Sequence, residues 1–214
     1  MKVEVMKNIL GENDKIADEN RNLFREKKVF VINLMGSPGS GKTSLLELTI
    51  AKLKDKIKMA VIEGDLFTAK DAERIERHDV PVVQINTAGG CHLDAAMVRR
   101  AAESLDLDTL DLIIVENVGN LVCPAEFDVG ENVKAVVLSI TEGDDKPLKY
   151  PLIFKESAVA ILNKIDILKF CNFNLESAKE DLITIHPDIK IIETSCTTEA
   201  GLDIWYEWIS NKIS

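Results

Sequence analysis

The sequence has no apolar run approaching the roughly 18 residues that a membrane span needs. Its first residues, MKVEVMKNILGEND, carry no continuous apolar core of the signal-peptide kind. No membrane association is expected, and the cytosol is the expected compartment. Aromatics are scarce, 5% against 46% apolar residues overall, so Val, Ile and Leu must fill the interior, as they do in buried parallel sheets. Lys/Arg-rich runs are missing too. With 36 acidic against 26 basic residues, the formal net charge is -10, which repels a phosphate backbone and argues against a nucleic-acid partner. Cysteine is limited to Cys91, Cys123, Cys171 and Cys196. In a reducing compartment these are expected as free thiols or metal ligands rather than disulfides. There are no repeats and no low-complexity linker, and 214 residues suit one sizeable core.

What is there alternates. Apolar, β-branched runs at FVINLM, MAVIEG, VVQI, LIIVEN, AVVLSI, VAILN and IKIIET are separated by segments of helical period such as SLLELTIAKL, DAAMVRRAAESL and LESAKEDLITI. This predicts a three-layer, doubly wound α/β domain with a mainly parallel sheet of about seven strands. An amphipathic helical segment is expected over 1-28, ahead of the α/β domain over 29-214. In it Ile16, Ala17, Asn20, Leu23 and Phe24 share one face, and Asn13 or Asp14 is available as an N-cap. A closing helix carries Leu202, Trp205, Trp208 and Ile209 on one face. For both end helices, packing on the home domain and offering a partner surface are the two readings.

Directly after the first strand stands Gly36-Ser-Pro-Gly-Ser-Gly-Lys-Thr43, a full GxxxxGK(S/T) match leading into a helix. Such a loop turns backbone N–H groups toward phosphates, so Gly36, Gly39, Ser40, Gly41, Lys42, Thr43 and Ser44 are expected to bind nucleotide. Lys42 supplies a charge to the β and γ groups, and the Thr43 hydroxyl ligates Mg²⁺. Two later strand ends open on the same crevice. Asp65 and Glu116 are the candidates for holding Mg²⁺ directly or through water, with the Gly119 N–H facing the γ-phosphate. For Asp65 the competing role is a cap for the segment DAERI. Lys42, Asp65, Glu116 and Gly119 thus form the expected catalytic set.

The base site follows from Asn163-Lys-Ile-Asp166 and from Ser195-Cys-Thr-Thr, each after a strand. A carboxylate only accepts hydrogen bonds, so Asp166 can take two from the N1–H and 2-amino group of guanine, which adenine lacks. Lys164 would lie along the base and ribose, and Asn163 would tie this loop to the P-loop. Ser195 and Cys196 complete the base loop, although Cys196, like Cys171, also reads as a structural thiol.

Asn86-Thr-Ala-Gly-Gly-Cys91-His92 places a thiol and an imidazole side by side in a Gly-rich loop, and Cys123 follows Gly119 by four residues. Two thiols and an imidazole suit Zn²⁺ or Ni²⁺. The spacing matches no closed zinc-finger pattern, and a free cysteine is often a small core residue.

At this point the chain resembles the hydrogenase maturation GTPases of the HypB family, SIMIBI-class P-loop proteins of nickel insertion. The resemblance runs through NLMGSPGSGKTSLLE, EGD, DAERI, PVVQINT.GGCHLDA, ENVGNLVCPAEFDVGE, TEGDDKPLKYP and NKID. It implies a GTPase with GTP/GDP, Mg²⁺ and Ni²⁺ or Zn²⁺ as ligands, and a homodimer promoted by GTP and metal; slow turnover is expected because Asn120, not the longer Gln that orients water in Ras-like enzymes, follows Gly119. The interface metal would be held by Cys91, His92 and Cys123. It also implies a small zinc-containing partner of the HypA type and the hydrogenase large subunit as recipient. Unlike some members, this chain has neither a Cys-rich N-terminal motif nor a His-rich tract, with three histidines in all. A single transfer or regulatory site is expected rather than nickel storage. The alternatives are a P-loop kinase of a small metabolite, a related nickel or cobalamin-enzyme maturation GTPase, and a passive metal-binding module.

Overall fold

Strands rich in Val, Ile and Leu on both sides need cover on both faces, and helical crossovers supply it. The computed structural model describes residues 2–65 and 74–213. Among them are seven strands: β1 (Phe30–Gly36), β2 (Met59–Asp65), β3 (Val82–Asn86), β4 (Leu112–Glu116), β5 (Val133–Ser139), β6 (Val159–Asn163) and β7 (Lys190–Thr194). They form one sheet in the order β3-β2-β4-β1-β5-β6-β7. Every pairing is parallel, so the sheet is wholly rather than mainly parallel.

The helices are α1 (Lys2–Lys27), α2 (Lys42–Leu53), α3 (Ala95–Ala102), the short α4 (Cys123–Glu126), α5 (Lys146–Lys149) and α6 (Pro151–Lys155), then α7 (Leu175–Ile185) and α8 (Leu202–Ile213). Alternation along β1 shows the layering. Ile32 and Leu34 pack under Leu45, Leu46 and Ile50 of α2 and Trp205 and Ile209 of α8. Val31 points to the opposite layer, with Phe24 of α1 and Val98 and Ala102 of α3. Phe154 of α6 and Leu182 of α7 cover the β5–β6 half of that sheet. Trp205 is buried and stacks on Trp208, ring centroids 5.3 Å apart, so the closing helix packs on its own domain.

Helix α1 starts earlier than its cap signal suggests. Asn13 lies inside it, not at its N-terminus, because its amide has a tertiary role: Nδ2 donates to the Asp128 carbonyl at 2.8 Å and Oδ1 accepts from the Ala95 N–H at 2.9 Å. Two turns on, Asn20 Nδ2 donates to the carbonyls of Ala95 (2.8 Å) and Val129 (3.0 Å). Together the two amides clamp α1 to the start of α3 and to the loop before β5. No helix among the described residues is long and apolar enough to cross a membrane.

Candidate nucleotide and metal site

In a parallel sheet all strands deliver their carboxyl ends to one edge, and β1 and β4 are neighbours there. The phosphate loop leaves β1 at Gly36 and enters α2 at Lys42. Gly41 takes φ 102°, a left-handed turn that favours glycine, and a Cβ there would run into the Asn163 amide. That space lets Asn163 Nδ2 donate to the Ser40 carbonyl at 2.9 Å, fastening the end of β6 to the loop. Ser40 is fully buried, and its hydroxyl has no hydrogen-bond partner among the described residues. An orphaned buried hydroxyl inside a phosphate-loop sequence fits an anionic ligand with oxygen acceptors. Lys42 is buried, with its ammonium 3.3 Å and 3.2 Å from the carbonyls of Gly36 and Ser37.

Thr43 Oγ1 donates to Glu116 Oε1 at 2.8 Å. Glu63 on β2 stands directly beside Glu116 in the strand register, and both are buried. Lys42, Thr43, Glu63, Glu116 and Gly119 line one cavity of about 420 Å³. A hydroxyl next to two buried carboxylates is a donor set that fits a hard divalent cation. Sequence reasoning missed Glu63; its signal was a charge inside an otherwise apolar strand, which is costly unless used. Asp65 ends β2, and its side chain lies outside the described residues, as do residues 71–73 of the proposed alternative cap. Arg74, also missed, pairs with Glu47 of α2 at 2.5 Å and reaches the Ser44 hydroxyl at 3.3 Å. Gly119 lies against the phosphate loop: a Cβ on it would fall 2.8 Å from the Pro38 nitrogen.

At the base end, Ser195 Oγ donates to Asp166 Oδ1 at 2.6 Å and accepts from the N–H groups of Thr197 (3.2 Å) and Thr198 (3.1 Å). The carboxylate is therefore held with its other oxygen still open to donors. Lys164 takes a left-handed conformation (φ 68°) and its ammonium crosses to the Gly39 carbonyl at 2.7 Å. Cys196 Sγ sits 3.6 Å from Asn163 Oδ1, and burial pushes its thiol up, so it stays neutral.

Cys91, His92 and Cys123 meet although two loops carry them. Cys91 Sγ is 3.0 Å from Cys123 Sγ and 3.5 Å from His92 Nδ1, and one ligand atom from each of the three lies within 4.8 Å of the others. Contact with Cys91, then burial, pushes the Cys123 thiol up. Burial pushes the imidazole down against Asp94 and Glu126, and its ring stacks on Phe127 at 3.8 Å. A neutral imidazole beside two thiols at the exposed rim fits a borderline-soft cation. A cavity of about 770 Å³ opens on the amino-end side of β5, lined by Arg21, Asp128, Glu131 and Lys134. Four of its charges pair with one another, Arg21 with Asp128 and Lys134 with Glu131, and it lacks the phosphate loop and the adjacent Glu63 and Glu116 carboxylates that make the other crevice the better candidate for chemistry.

A model of the CobW/HypB/UreG nucleotide-binding domain matches residues 30–193. The hydrogenase maturation factor HypB of Escherichia coli K12 is 47% identical over 210 residues, covering 98% of this chain and 72% of that protein. The chain belongs to the HypB family. Solved HypB structures agree in fold. The Archaeoglobus fulgidus factor aligns with TM-score 0.90 at 36% identity, over 96% of this chain and 100% of that one. HypB from Helicobacter pylori in complex with nickel aligns with TM-score 0.90 at 38% identity, over 94% and 95%. HypB proteins are P-loop GTPases of hydrogenase maturation, and nucleotide hydrolysis in general comes with that membership.

Proposed function

We propose that this HypB-family protein is a slow GTPase and metallochaperone that binds nickel or zinc at a dimer interface under nucleotide control and supports nickel insertion into [NiFe] hydrogenase. The observation that carries this reading is the position of Cys123. It converges with Cys91 and His92 and follows Gly119 by four residues in the chain, on the segment that leans against the phosphate loop.

In this reading the backbone of Gly36, Gly39 and Gly41, with the Ser40 and Ser44 hydroxyls and the Lys42 ammonium, receives the phosphates, while Asp166, with Lys164, Ser195 and Cys196 around it, receives guanine. Thr43, Glu116 and Asp65 would hold Mg²⁺, which would supply positive charge to the phosphates. The Gly119 N–H faces the γ-phosphate. Hydrolysis is slow because the residue after Gly119 is Asn120, whose amide is engaged by the Cys91 carbonyl (3.2 Å) and the Val122 N–H (2.9 Å) and is not available to orient water. A turnover on the order of 10⁻³ s⁻¹ is expected from the protein alone. Several turnovers per second from an isolated monomer would end this part of the reading.

One chain offers three soft ligands, two of them adjacent, so a second copy completes the shell more readily than one chain does. Nickel is cargo here, passed with the help of a small zinc-containing HypA-type protein to the hydrogenase large subunit. The test is light scattering during nickel or zinc titration in GDP and in a non-hydrolysable GTP analogue. A metal-dependent dimer favoured by the analogue is expected; a monomer under every condition contradicts the reading. A small-metabolite kinase has no use for Asn163, Lys164 and Asp166 together, and adenine nucleotides should not compete.

A further inference from the structure

Asn120 is bonded in two directions. Its backbone forms an isolated antiparallel bridge with Gly36, the N–H donating to the Gly36 carbonyl at 3.0 Å. Gly36 is both the last residue of β1 and the first of the phosphate loop. Its side chain turns the other way. Nδ2 donates to the Cys91 carbonyl at 3.2 Å, and Oδ1 accepts from the N–H of Val122, the residue before Cys123, at 2.9 Å. One residue thus ties the phosphate loop to the backbone on both sides of the thiol pair.

The neighbours make this tie stiff. A Cβ on Gly119 would fall 2.8–2.9 Å from Pro38 atoms, so the segment lies against the loop with no room for a side chain between them. Leu121 is buried beyond it, while Val122 is about half exposed. Behind the tie, Asn117 Oδ1 accepts from the N–H groups of Leu93 (3.0 Å) and Val118 (2.9 Å), which fixes the far side of the Cys91–His92 loop. The Asn120 amide is therefore the hydrogen-bonded link nearest the thiol pair, while the Asn117 bond to Leu93 anchors the same loop on its far side.

We propose that Asn120 is a positioning residue: its amide converts a displacement of the phosphate loop into a change in the Cys91–Cys123 separation, which couples nucleotide state to metal affinity. The inference rests on the nucleotide-linked metal site proposed above. Spatial intermediacy alone does not establish coupling, so the test reads the coupling itself. Asn both donates and accepts, whereas Asp of the same shape only accepts. Asn120→Asp cuts the arm to Cys91 and keeps the arm to Val122; Asn120→Ala cuts both, and each keeps the backbone bond to Gly36.

The experiment titrates Ni²⁺ into the full chain in GDP and in a non-hydrolysable GTP analogue, following thiolate-to-metal charge-transfer absorbance, with analogue affinity measured in parallel. The wild type should bind Ni²⁺ at least about fivefold differently in the two states. In Asn120→Ala that ratio should fall to within about twofold of one, with unchanged absorbance bands and unchanged affinity for the analogue. Asn120→Asp should lie between, and it serves as the test if the alanine variant does not fold. A wild-type ratio retained in both variants overturns the proposal, and loss of analogue binding does so too, by making Asn120 a strut of the phosphate loop. A ratio of one already in the wild type removes the underlying reading of a nucleotide-linked metal site, and the relay with it.

Discussion

The nucleotide crevice and the thiol cluster lie at the same end of one sheet but are built differently. In the crevice polar groups hold one another before any ligand arrives: Asn163 grips the Ser40 carbonyl, Lys164 the Gly39 carbonyl, Ser195 the Asp166 carboxylate and Thr43 the Glu116 carboxylate. Asn163, Ser40, Lys42, Glu116 and Ser195 are buried. The cluster sits on the rim. Cys91 is exposed, His92 and Cys123 are half-buried, and the loops that carry them meet through the Asn120 amide. A preformed, buried site suits a nucleotide that must be told from close relatives. An exposed, lightly held ligand set suits a cation that has to leave again.

Substitutions on one side at a time test whether the two sites are built separately. Asp166→Asn should reverse base preference toward xanthosine triphosphate, because an amide can donate to the 2-oxo group, with a change on the order of 10⁴-fold in the ratio of affinities. Retained preference for GTP would remove Asp166 from the base site, and unchanged nickel binding in the apo protein would show the two sites to be separately built. Cys123→Ala should lower nickel affinity by about 100-fold or more, since losing a ligand costs at least as much as losing a residue that supports one. Isothermal titration checks this, and equal affinity would leave Cys123 as a packing thiol. Asn20→Ala acts on the metal side through α3, whose first residue it holds. It strands the buried carbonyls of Ala95 and Val129, costing about 2 kcal/mol, or about 4–8 °C in melting temperature for a chain of this size. Hydrogen exchange should rise at the start of α3 and stay unchanged along α2; a uniform rise would mean that the two halves open as one unit.

How much of this was legible in the sequence follows from the same contrast. The seven strands were readable because buried parallel strands write themselves as contiguous Val/Ile/Leu runs. The phosphate and base loops were readable because their working groups are neighbours in sequence, each directly after a strand. Contacts between segments were not. Asn13 carried the local signature of a helix cap, yet its amide is used across space by Asp128 and Ala95. Cys91 and Cys123 are 32 residues apart, and only the parallel register of the sheet brings their loops together. Glu63 was hidden inside a strand pattern, where alternation says nothing about a residue at the carboxyl end. Asn120 is legible in the sequence only as the residue after Gly119, and the two backbones it holds become visible only when the loops are in place.

If the two sites are coupled, the coupling runs equally in both directions: the factor by which GTP changes metal affinity must equal the factor by which metal changes GTP affinity. The direct measurement is the dissociation constant of a non-hydrolysable GTP analogue with and without saturating Ni²⁺, beside the same measurement with GDP. The predicted result is tighter analogue binding in the presence of Ni²⁺, with the effect of Ni²⁺ on the analogue divided by its effect on GDP equal to the ratio found in the metal titrations. An equal effect of Ni²⁺ on analogue and GDP binding would contradict the coupling and leave two independent sites on one sheet.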